Sequence, residues 1–352
     1  MMPEEWPIAE RSEGPDAPAR SPGRDRLDTV RADFFLSPAD RLTEQERALM
    51  TAMLHCLVGD IADEIRAALP SGMAAANDES RLQLVHALAS AGLLDRPALV
   101  RLLLRRADEE RIATAATARS GRREARVIQG LVSHSDGAVA AAAMALIVAR
   151  GRRRDRFGQC LLHFDDLSAD EGRALVQLVC AALRTDVARL SNEANADRLL
   201  AEAAAAVLAG HDPGNGISAL TAKLVQLLDE EGDLGNDLII GGALEGEMTF
   251  VAHALSRKSG IGMQVALDEL LSGDEARAMT LLRAAQLSRR EAASLLAGVG
   301  DLIGIADAGH AIGAFDKLSD AQVEDSRTWL TGDPVYRHAV TALGKPRGKR
   351  SV

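Results

Sequence analysis

Residues 125–151 read ARVIQGLVSHSDGAVAAAAMALIVARG. Apolar side chains recur on both sides of a polar turn with the period of an α-helix. The turn, residues 133–137, is too short to separate two helices, so the stretch predicts an antiparallel helix pair. The alanines at 140–143 leave room for a neighbouring helix, and Gly151 follows the last apolar position, as helix-ending glycines do. Such a pair cannot bury its apolar face alone and needs similar pairs beside it.

The composition of the whole chain also favours helices. Hydrophobic residues make up 47% of the 352 residues, but aromatic residues only 3%. Alanine and leucine therefore carry most of the apolar content, which is typical of closely packed helices rather than sheets. We predict an all-α protein: an α-solenoid or α-α superhelix of HEAT-like helical pairs, with a C-terminal helical subdomain.

Recurrent start signals divide the chain into helices. The first is Thr43 with Glu46, which has the spacing of a capping box ahead of a clear apolar stripe. The same spacing recurs at Ser168–Glu171, Ser288–Glu291 and Ser319–Gln322. A second similarity joins LEGE at residues 244–247 to LSGD at residues 271–274, with the later apolar positions in register. Each predicts a turn and then a helix whose N-terminus is stabilised by an acid.

The composition along the chain sets the predicted boundaries. Residues 1–27 carry five prolines and little apolar content, which predicts a disordered leader. A glycine-rich joint near residue 210 separates an N-terminal HEAT-like helical domain, residues 28–210, from a C-terminal helical domain, residues 211–344. Residues 345–352 are predicted to be a basic, disordered tail.

The cysteines and the apolar runs indicate where in the cell the protein is located. Cys56, Cys160 and Cys180 lie within apolar helical patterns, which predicts reduced and buried thiols. No run reaches the roughly 18 apolar residues of a membrane span, and the N-terminus lacks a basic segment followed by an apolar one. We therefore expect a cytoplasmic protein without a membrane span.

A pattern of charged and apolar positions marks the first helical region. It consists of LTEQER at residues 42–47, Leu54, Leu57, Asp60 and Ile65-Arg66. With this pattern, residues 31–69 resemble the start of the bacterial family known as domain of unknown function 2336 (DUF2336). Residues 242–298 are similar in style to the C-terminal part of that family. The resemblance implies HEAT-like helical pairs in a bacterial cytoplasmic protein, and it implies no activity and no catalytic residue.

Polar motifs give little support for an enzyme. Residues 133–136 hold nucleophile, base and acid types together, but turn residues bond their own backbone rather than one another. The glycines of residues 298–304 lack the spacing and the preceding strand of a phosphate loop, so they predict a helix-to-helix joint. Cys160 and His163 are one turn apart, as in a metal pair, but no second pair accompanies them.

We accordingly predict a non-enzymatic protein with no cofactor and no metal site. An enzyme would require distant histidines and acids to converge in one concave pocket. His86, His134 and His163 are examples of such histidines.

Positive charge is concentrated in one part of the chain. Residues 101–156 contain 13 arginines, no lysine and 6 acidic residues, a local balance of +7 in a chain of net charge −10. Three arginine clusters fall at the ends of successive predicted helices and would line one edge of a parallel stack. They comprise Arg105, Arg106, Arg122, Arg123, Arg152, Arg153 and Arg154.

The arginine clusters have two functional interpretations and one structural interpretation. A guanidinium group suits carboxylates and phosphates, so the clusters predict binding to an acidic surface or segment of another protein. Nucleic acid fits less well, because the clusters lack interleaved aromatic residues and the chain is acidic overall. In the structural interpretation, the arginines pair with acids on neighbouring helices and with helix dipoles. We predict a protein-interaction adaptor or scaffold, with a nucleic-acid-binding helical-repeat protein as the alternative.

Overall fold

The computed structural model describes residues 42–70, 78–120 and 126–344. Within these ranges the regular structure consists of sixteen α-helices and short 3-10 turns, and the one strand-like feature is an isolated bridge between Arg154 and Cys160. The all-α prediction is confirmed. No helix of these ranges combines the length and apolar character needed to cross a membrane. The predicted leader and basic tail lie outside the described residues.

The helices have the following bounds in chain order. They are α1 (Glu44–Ala68), α2 (Asp78–Ser90), α3 (Pro97–Ser120), α4 (Arg126–Gly130), α5 (Gly137–Arg152), α6 (Ala169–Leu190), α7 (Glu193–Gly210), α8 (Ile217–Glu230), α9 (Asn236–Leu244), α10 (Met248–Ser259), α11 (Met263–Leu270), α12 (Glu275–Ala284), α13 (Arg289–Val299), α14 (Ala308–Lys317), α15 (Asp320–Thr331) and α16 (Pro334–Gly344).

The four predicted capping residues all begin helices. Thr43, Ser288 and Ser319 form complete capping boxes, in which the side chain three residues later bonds back to the cap amide. Ser168 also accepts a hydrogen bond from the amide of Glu171. The Glu171 carboxylate does not close the box, because it binds Arg96 just ahead of α3.

A first apolar core lies among α1, α2, α6, α7 and the first half of α3. The longest helix, α1, packs against all four of the others. Its fully buried residues Met53, Leu57, Ile61 and Ile65 recur at intervals of four, so they form one continuous apolar face.

A second core contains α4, α5 and α8 to α15, together with Ile112 from the second half of α3. Within it α5 packs on α8, α8 on α10, α10 on α12, and α12 on α14 and α15. The chain passes between the two cores within α3, between α5 and α6, and between α7 and α8. The second core therefore draws on helices from both sides of residue 210, and a domain boundary there stays a prediction.

The stretch of residues 125–151 forms less helix than predicted in its first half. Here α4 has five residues, a 3-10 turn at Leu131–Ser133 follows, and Asp136 then caps the sixteen-residue α5. In this first half, the buried apolar residues are Ile128 and Leu131. One and a half turns are enough to bury them, and α4 still packs against α5 as the pairing requires.

The LEGE and LSGD segments each form a turn followed by a helix, as predicted, and their repeat as helix pairs stays a prediction. Gly246 and Gly273 both adopt left-handed backbone conformations, with φ of 76° and 70°. Glu247 and Asp274 follow as the N-caps of α10 and α12. The surroundings differ: a Cβ at Gly246 would lie 2.6 Å from the Cα of Ala113 in α3, whereas one at Gly273 would meet nothing closer than 3.9 Å.

Candidate functional site

A cluster of charged side chains lies where α3 and the segment after α5 pass between the two cores. It is termed here the polar junction, and its members are Arg105, Arg106, Glu109, Glu110, Arg150, Arg153, Arg154, Asp165, Asp166 and Glu247. These residues line a narrow cavity of about 120 Å³ and a wide cavity of about 290 Å³. Arg106 and Glu109 belong to the walls of both cavities.

The fold brings these side chains together from four parts of the chain. The middle of α3 supplies two arginines and two glutamates, because residues three and four apart share one face of a helix. The end of α5 and the residues that follow supply three more arginines. The 3-10 turn Phe164–Asp166 contributes two aspartates, and the N-cap of α10 contributes Glu247.

The most buried pair of the junction is Arg153 with Asp166. The Arg153 side chain is 4% exposed, and its Nε donates to the two Asp166 oxygens at 3.0 and 2.9 Å. Its Nη1 and Nη2 donate to the carbonyl oxygens of Ala149 and Asn215, both at 3.0 Å. Asp166 also accepts the amide of Ile217 at 2.9 Å. This ion pair therefore ties α5 to the start of α8.

Asp166 is ionised in this setting. Burial alone would raise the pKa of its carboxyl, but the hydrogen bonds and charge of Arg153 outweigh burial and hold that pKa below the ordinary aspartate value. Breaking such a buried pair on one side leaves an uncompensated charge.

Three further pairs engage the remaining glutamates. Arg154 binds Glu110 with two hydrogen bonds of 3.0 and 2.9 Å. Arg150 donates to Glu247 at 2.7 Å, and Arg106 binds Glu109. These contacts link α3 to the loop after α5, and α5 to the start of α10.

Arg106 also donates to the Cys160 sulfur at 3.4 Å. Burial lowers the pKa of Arg106, but the charges of Glu109 and Asp166 raise it by more, so the guanidinium stays protonated. Burial raises the pKa of the Cys160 thiol despite the opposing charge of Arg106, so Cys160 is a thiol rather than a reactive thiolate at neutral pH.

Arg105 is the arginine of the junction that shares its carboxylate, Glu109, with Arg106. Its Nε lies 3.8 Å from Glu109, whose oxygens already accept from Arg106 and Thr249. Its Nη1 reaches the side-chain oxygen of Gln264 at 3.5 Å, a long hydrogen bond. The side chain is nevertheless only 13% exposed, and Nε is buried without a hydrogen-bond partner. Arg105 is therefore held by a longer ion pair and a longer hydrogen bond than the other arginines of the junction.

A serine and a histidine meet in the wall of the wide cavity. Ser218 Oγ lies 3.0 Å from His253 Nε2. Burial, assisted by the charge of Arg105, lowers the pKa of His253 to about 4, so its imidazole is neutral at pH 7. No carboxylate in the described part of the chain is hydrogen-bonded to His253, so the pair lacks the third member of a catalytic triad. No local motif predicts this pair, because its members are 35 residues apart in different helices.

The structure brings four of the seven predicted partner-binding arginines together. Arg105, Arg106, Arg153 and Arg154 all belong to the polar junction. Arg152 is exposed at the end of α5 and lines neither cavity. Arg122 and Arg123 lie outside the described residues. Partner binding by these arginines stays a prediction, and the ion pairs above are the contacts expected in the structural interpretation.

The other polar motifs are spread over the molecule. His134 lies 3.0 Å from Asp233, His163 caps the 3-10 turn of Asp165, and His86 lies 3.4 Å from Ser90. None of the three histidines lines the narrow or the wide cavity. Across residues 42–70, 78–120 and 126–344, no three histidine, cysteine or acidic side chains are grouped so that they could hold a metal ion.

Comparison with known proteins identifies one family. The sequence model of the family described as "uncharacterised protein conserved in bacteria (DUF2336)" matches residues 105–323, well over half of the chain. The match begins at Arg105 and includes the whole polar junction, whereas the resemblance of residues 31–69 noted above lies entirely before it. No curated protein and no solved structure matches the chain.

Proposed function

The chain belongs to the DUF2336 family, and from this premise we propose that it is a non-enzymatic adaptor that binds an acidic, partly apolar surface of another protein. The observation that carries the proposal is an exposed apolar patch on α15 and α16. Its members, termed here the C-terminal patch, are Trp329, Val335, Tyr336, Val340 and Leu343.

The C-terminal patch is uncovered to an unusual degree. Val335, Tyr336 and Leu343 are 75%, 64% and 85% exposed, and the ring of Trp329 packs edge-on against Tyr336 at 6.2 Å between centroids. An isolated helix shorter than about 12 residues is marginal in water, and α16 has eleven. Contiguous exposed apolar side chains commonly mark interaction surfaces. A partner that covers this patch would therefore stabilise α16.

Charge indicates the kind of partner. From Arg337 to Arg350 the sequence contains five arginines and lysines and no acidic residue. A partner surface with carboxylates around an apolar centre would complement these basic residues and the apolar C-terminal patch. A groove of about 780 Å³ lies beside Trp329 and Pro334 and offers space for a partner side chain.

Two finer features belong to the same proposal. We infer HEAT-like stacking of the helices, which is supported by the ordered row of α5, α8, α10 and α12 in the second core. We also infer a cytoplasmic location, which is supported by the free thiols of Cys56, Cys160 and Cys180.

The test compares two surface variants of the full chain on an affinity support. Tyr336→Ser/Leu343→Ser removes two apolar side chains of the C-terminal patch. Leu82→Ser/Leu190→Ser removes two that are 57% and 59% exposed on α2 and α6, and it serves as the matched control. We expect the wild type and the control to retain an acidic protein from a bacterial lysate, and the patch variant to lose it. After purification, this protein should bind the wild type again.

Other outcomes would overturn the adaptor proposal. Equal retention by both variants would show that the patch is not the contact. Release by nuclease would support the nucleic-acid alternative, whose affinity falls steeply with salt. Patch-dependent binding of anionic lipid vesicles, without any protein partner, would assign the apolar face of α16 to a membrane surface.

A further inference from the structure

We propose that the outward face of α5 binds a second copy of this chain, with the two α5 helices packed antiparallel about a two-fold axis. The proposal does not rest on the C-terminal patch or on the adaptor function. Three observations point to it: an uncovered apolar helix face, the sizes of its side chains, and the charges at its two ends.

The first observation is the apolar character of α5 on all sides. Residues 137–149 contain only glycine, alanine, valine, leucine, isoleucine and methionine. A helix that is apolar all round is normally buried all round. Within the described residues, α5 packs against α4, the 3-10 turn Leu131–Ser133 and α8, which cover one side of it. The opposite side is exposed to solvent.

The exposed side chains form one continuous face. They recur at intervals of three and four residues and therefore lie on the same side of the helix: Ala138, Ala141, Met144, Ala145, Val148 and Arg152. Met144 and Val148 are 47% and 48% exposed, and no charged side chain interrupts the face before Arg152. An apolar stripe along a sixteen-residue helix, roughly 24 Å long, indicates a surface that another molecule covers.

The second observation is the alternation of small and large side chains along this face. In a two-fold interface each contact occurs twice, with the roles of the two copies exchanged. If the axis passes between Met144 and Ala145, Met144 of one copy faces Ala145 of the other, and Val148 faces Ala141. Each large side chain then meets a small one, which permits close packing of the two helices.

The third observation is the separation of charge along α5. At the C-terminal end, Arg152 is exposed and has no acid partner within the described residues. At the N-terminal end, Asp233 lies 3.0 Å from His134, which precedes the N-cap of α5, and the Asp233 side chain is 55% exposed. Glu231 is also exposed there. An antiparallel partner places Arg152 of each copy at the acidic end of the other, whereas a parallel partner brings like charges together.

The size of the face sets the expected strength. A face roughly 24 Å long and 10 Å wide offers about 240 Å² per copy, whereas stable interfaces bury about 1,200 Å² or more in total. The exposed side chains of the adjacent α8, Lys223, Gln226 and Glu230, would have to add to the contact. We therefore expect a reversible dimer with a Kd in roughly the micromolar range rather than a permanent one.

The test measures self-association of the full chain by sedimentation velocity. Concentrations of about 1 to 200 µM span a micromolar Kd, and over this range we expect a shift from one chain per particle to two. Val148→Glu places a charge in the face and should raise the Kd about ten-fold or more. Leu190→Glu is the matched control, because Leu190 is 59% exposed at the end of α6, and it should associate as the wild type does. Circular dichroism checks that each variant keeps the helix content of the wild type.

Charge reversal tests the antiparallel arrangement. Arg152→Glu and Asp233→Lys each place like charges at both ends of their own dimer, so each variant alone should associate more weakly than the wild type. A mixture of the two should form mixed dimers with a Kd close to that of the wild type, because both ends then carry opposite charges. Arg173→Glu, at an exposed arginine of α6 without an acid partner among the described residues, is the control and should change nothing.

Three results would overturn the proposal. The first is a chain that stays monomeric up to about 200 µM. The second is a dimer that survives Val148→Glu, including one that is lost instead in Tyr336→Ser/Leu343→Ser, which would assign self-association to the C-terminal patch. The third is failure of Arg152→Glu and Asp233→Lys to form mixed dimers more tightly than either variant associates alone.

Discussion

The turn at Gly246 offers a sharp test of how α3 is held against the second core. Replacing Gly246 by alanine places a methyl group 2.6 Å from the Cα and 2.9 Å from the nitrogen of Ala113, both backbone atoms of α3. The φ of 76° adds its own cost, because L-residues with a side chain are disfavoured in this region. The backbone of α3 cannot rotate out of the way as a flexible side chain could.

The magnitude follows from these two contributions. The left-handed conformation costs a non-glycine residue about 1 to 2 kcal/mol, and forcing an extra methyl into a packed site costs about 1 to 3 kcal/mol. We therefore expect Gly246→Ala to lose about 2 to 5 kcal/mol of unfolding free energy. Gly273→Ala is the matched control, since its φ is 70° and its nearest neighbour would be 3.9 Å away. Only the conformational cost, about 1 to 2 kcal/mol, applies there.

Urea unfolding followed by far-ultraviolet circular dichroism measures both variants. The larger loss of unfolding free energy for Gly246→Ala should appear as a lower urea concentration at the midpoint of unfolding, with an unchanged slope of free energy against urea. Equal losses for the two variants would refute the argument, because they would show that the turn is not pressed against α3.

Three further predictions concern the polar junction. Arg153→Met should lower the unfolding free energy by about 3 to 5 kcal/mol in urea titrations, because it leaves the buried Asp166 carboxylate unpaired; a loss below about 1 kcal/mol would contradict the pairing. Arg105→Met should change the unfolding free energy in urea titrations by less than about 1 kcal/mol, because Glu109 keeps its shorter contact with Arg106; a loss above about 2 kcal/mol would contradict this. Because the pKa of His253 is lower in the folded chain, the unfolded chain binds more protons as pH falls from about 6.5 to about 4, so stability should decrease over this window. His253→Gln should flatten that pH dependence, and an unchanged slope would assign it to other groups.

Features that depend on local sequence were predicted well. The capping boxes at Thr43, Ser288 and Ser319 and the two glycine turns at Gly246 and Gly273 need only neighbouring residues, so their signals are complete in the sequence. The helix pair in residues 125–151 was predicted, but the shortness of α4 was not, since apolar spacing alone does not show how few of its positions the core requires.

The polar junction lay largely beyond sequence reasoning. The excess of arginines in residues 101–156 was visible in the sequence. Their partners were not: Glu247, for example, which pairs with Arg150, lies 97 residues further along the chain. Nothing in the local pattern links Ser218 to His253 or places the start of α8 beside Arg105. Such contacts depend on the path of the chain between the two cores, which is set by packing at long range.

That path has a consequence for how the protein unfolds. Since α3 contributes side chains to both cores and the chain returns to each of them, neither core is complete within one continuous segment. A fragment ending at Gly210 would retain α4 and α5 without the helices that cover their apolar sides. Removing either half by proteolysis would therefore expose the interior of the other, and the two cores are expected to melt as one cooperative unit.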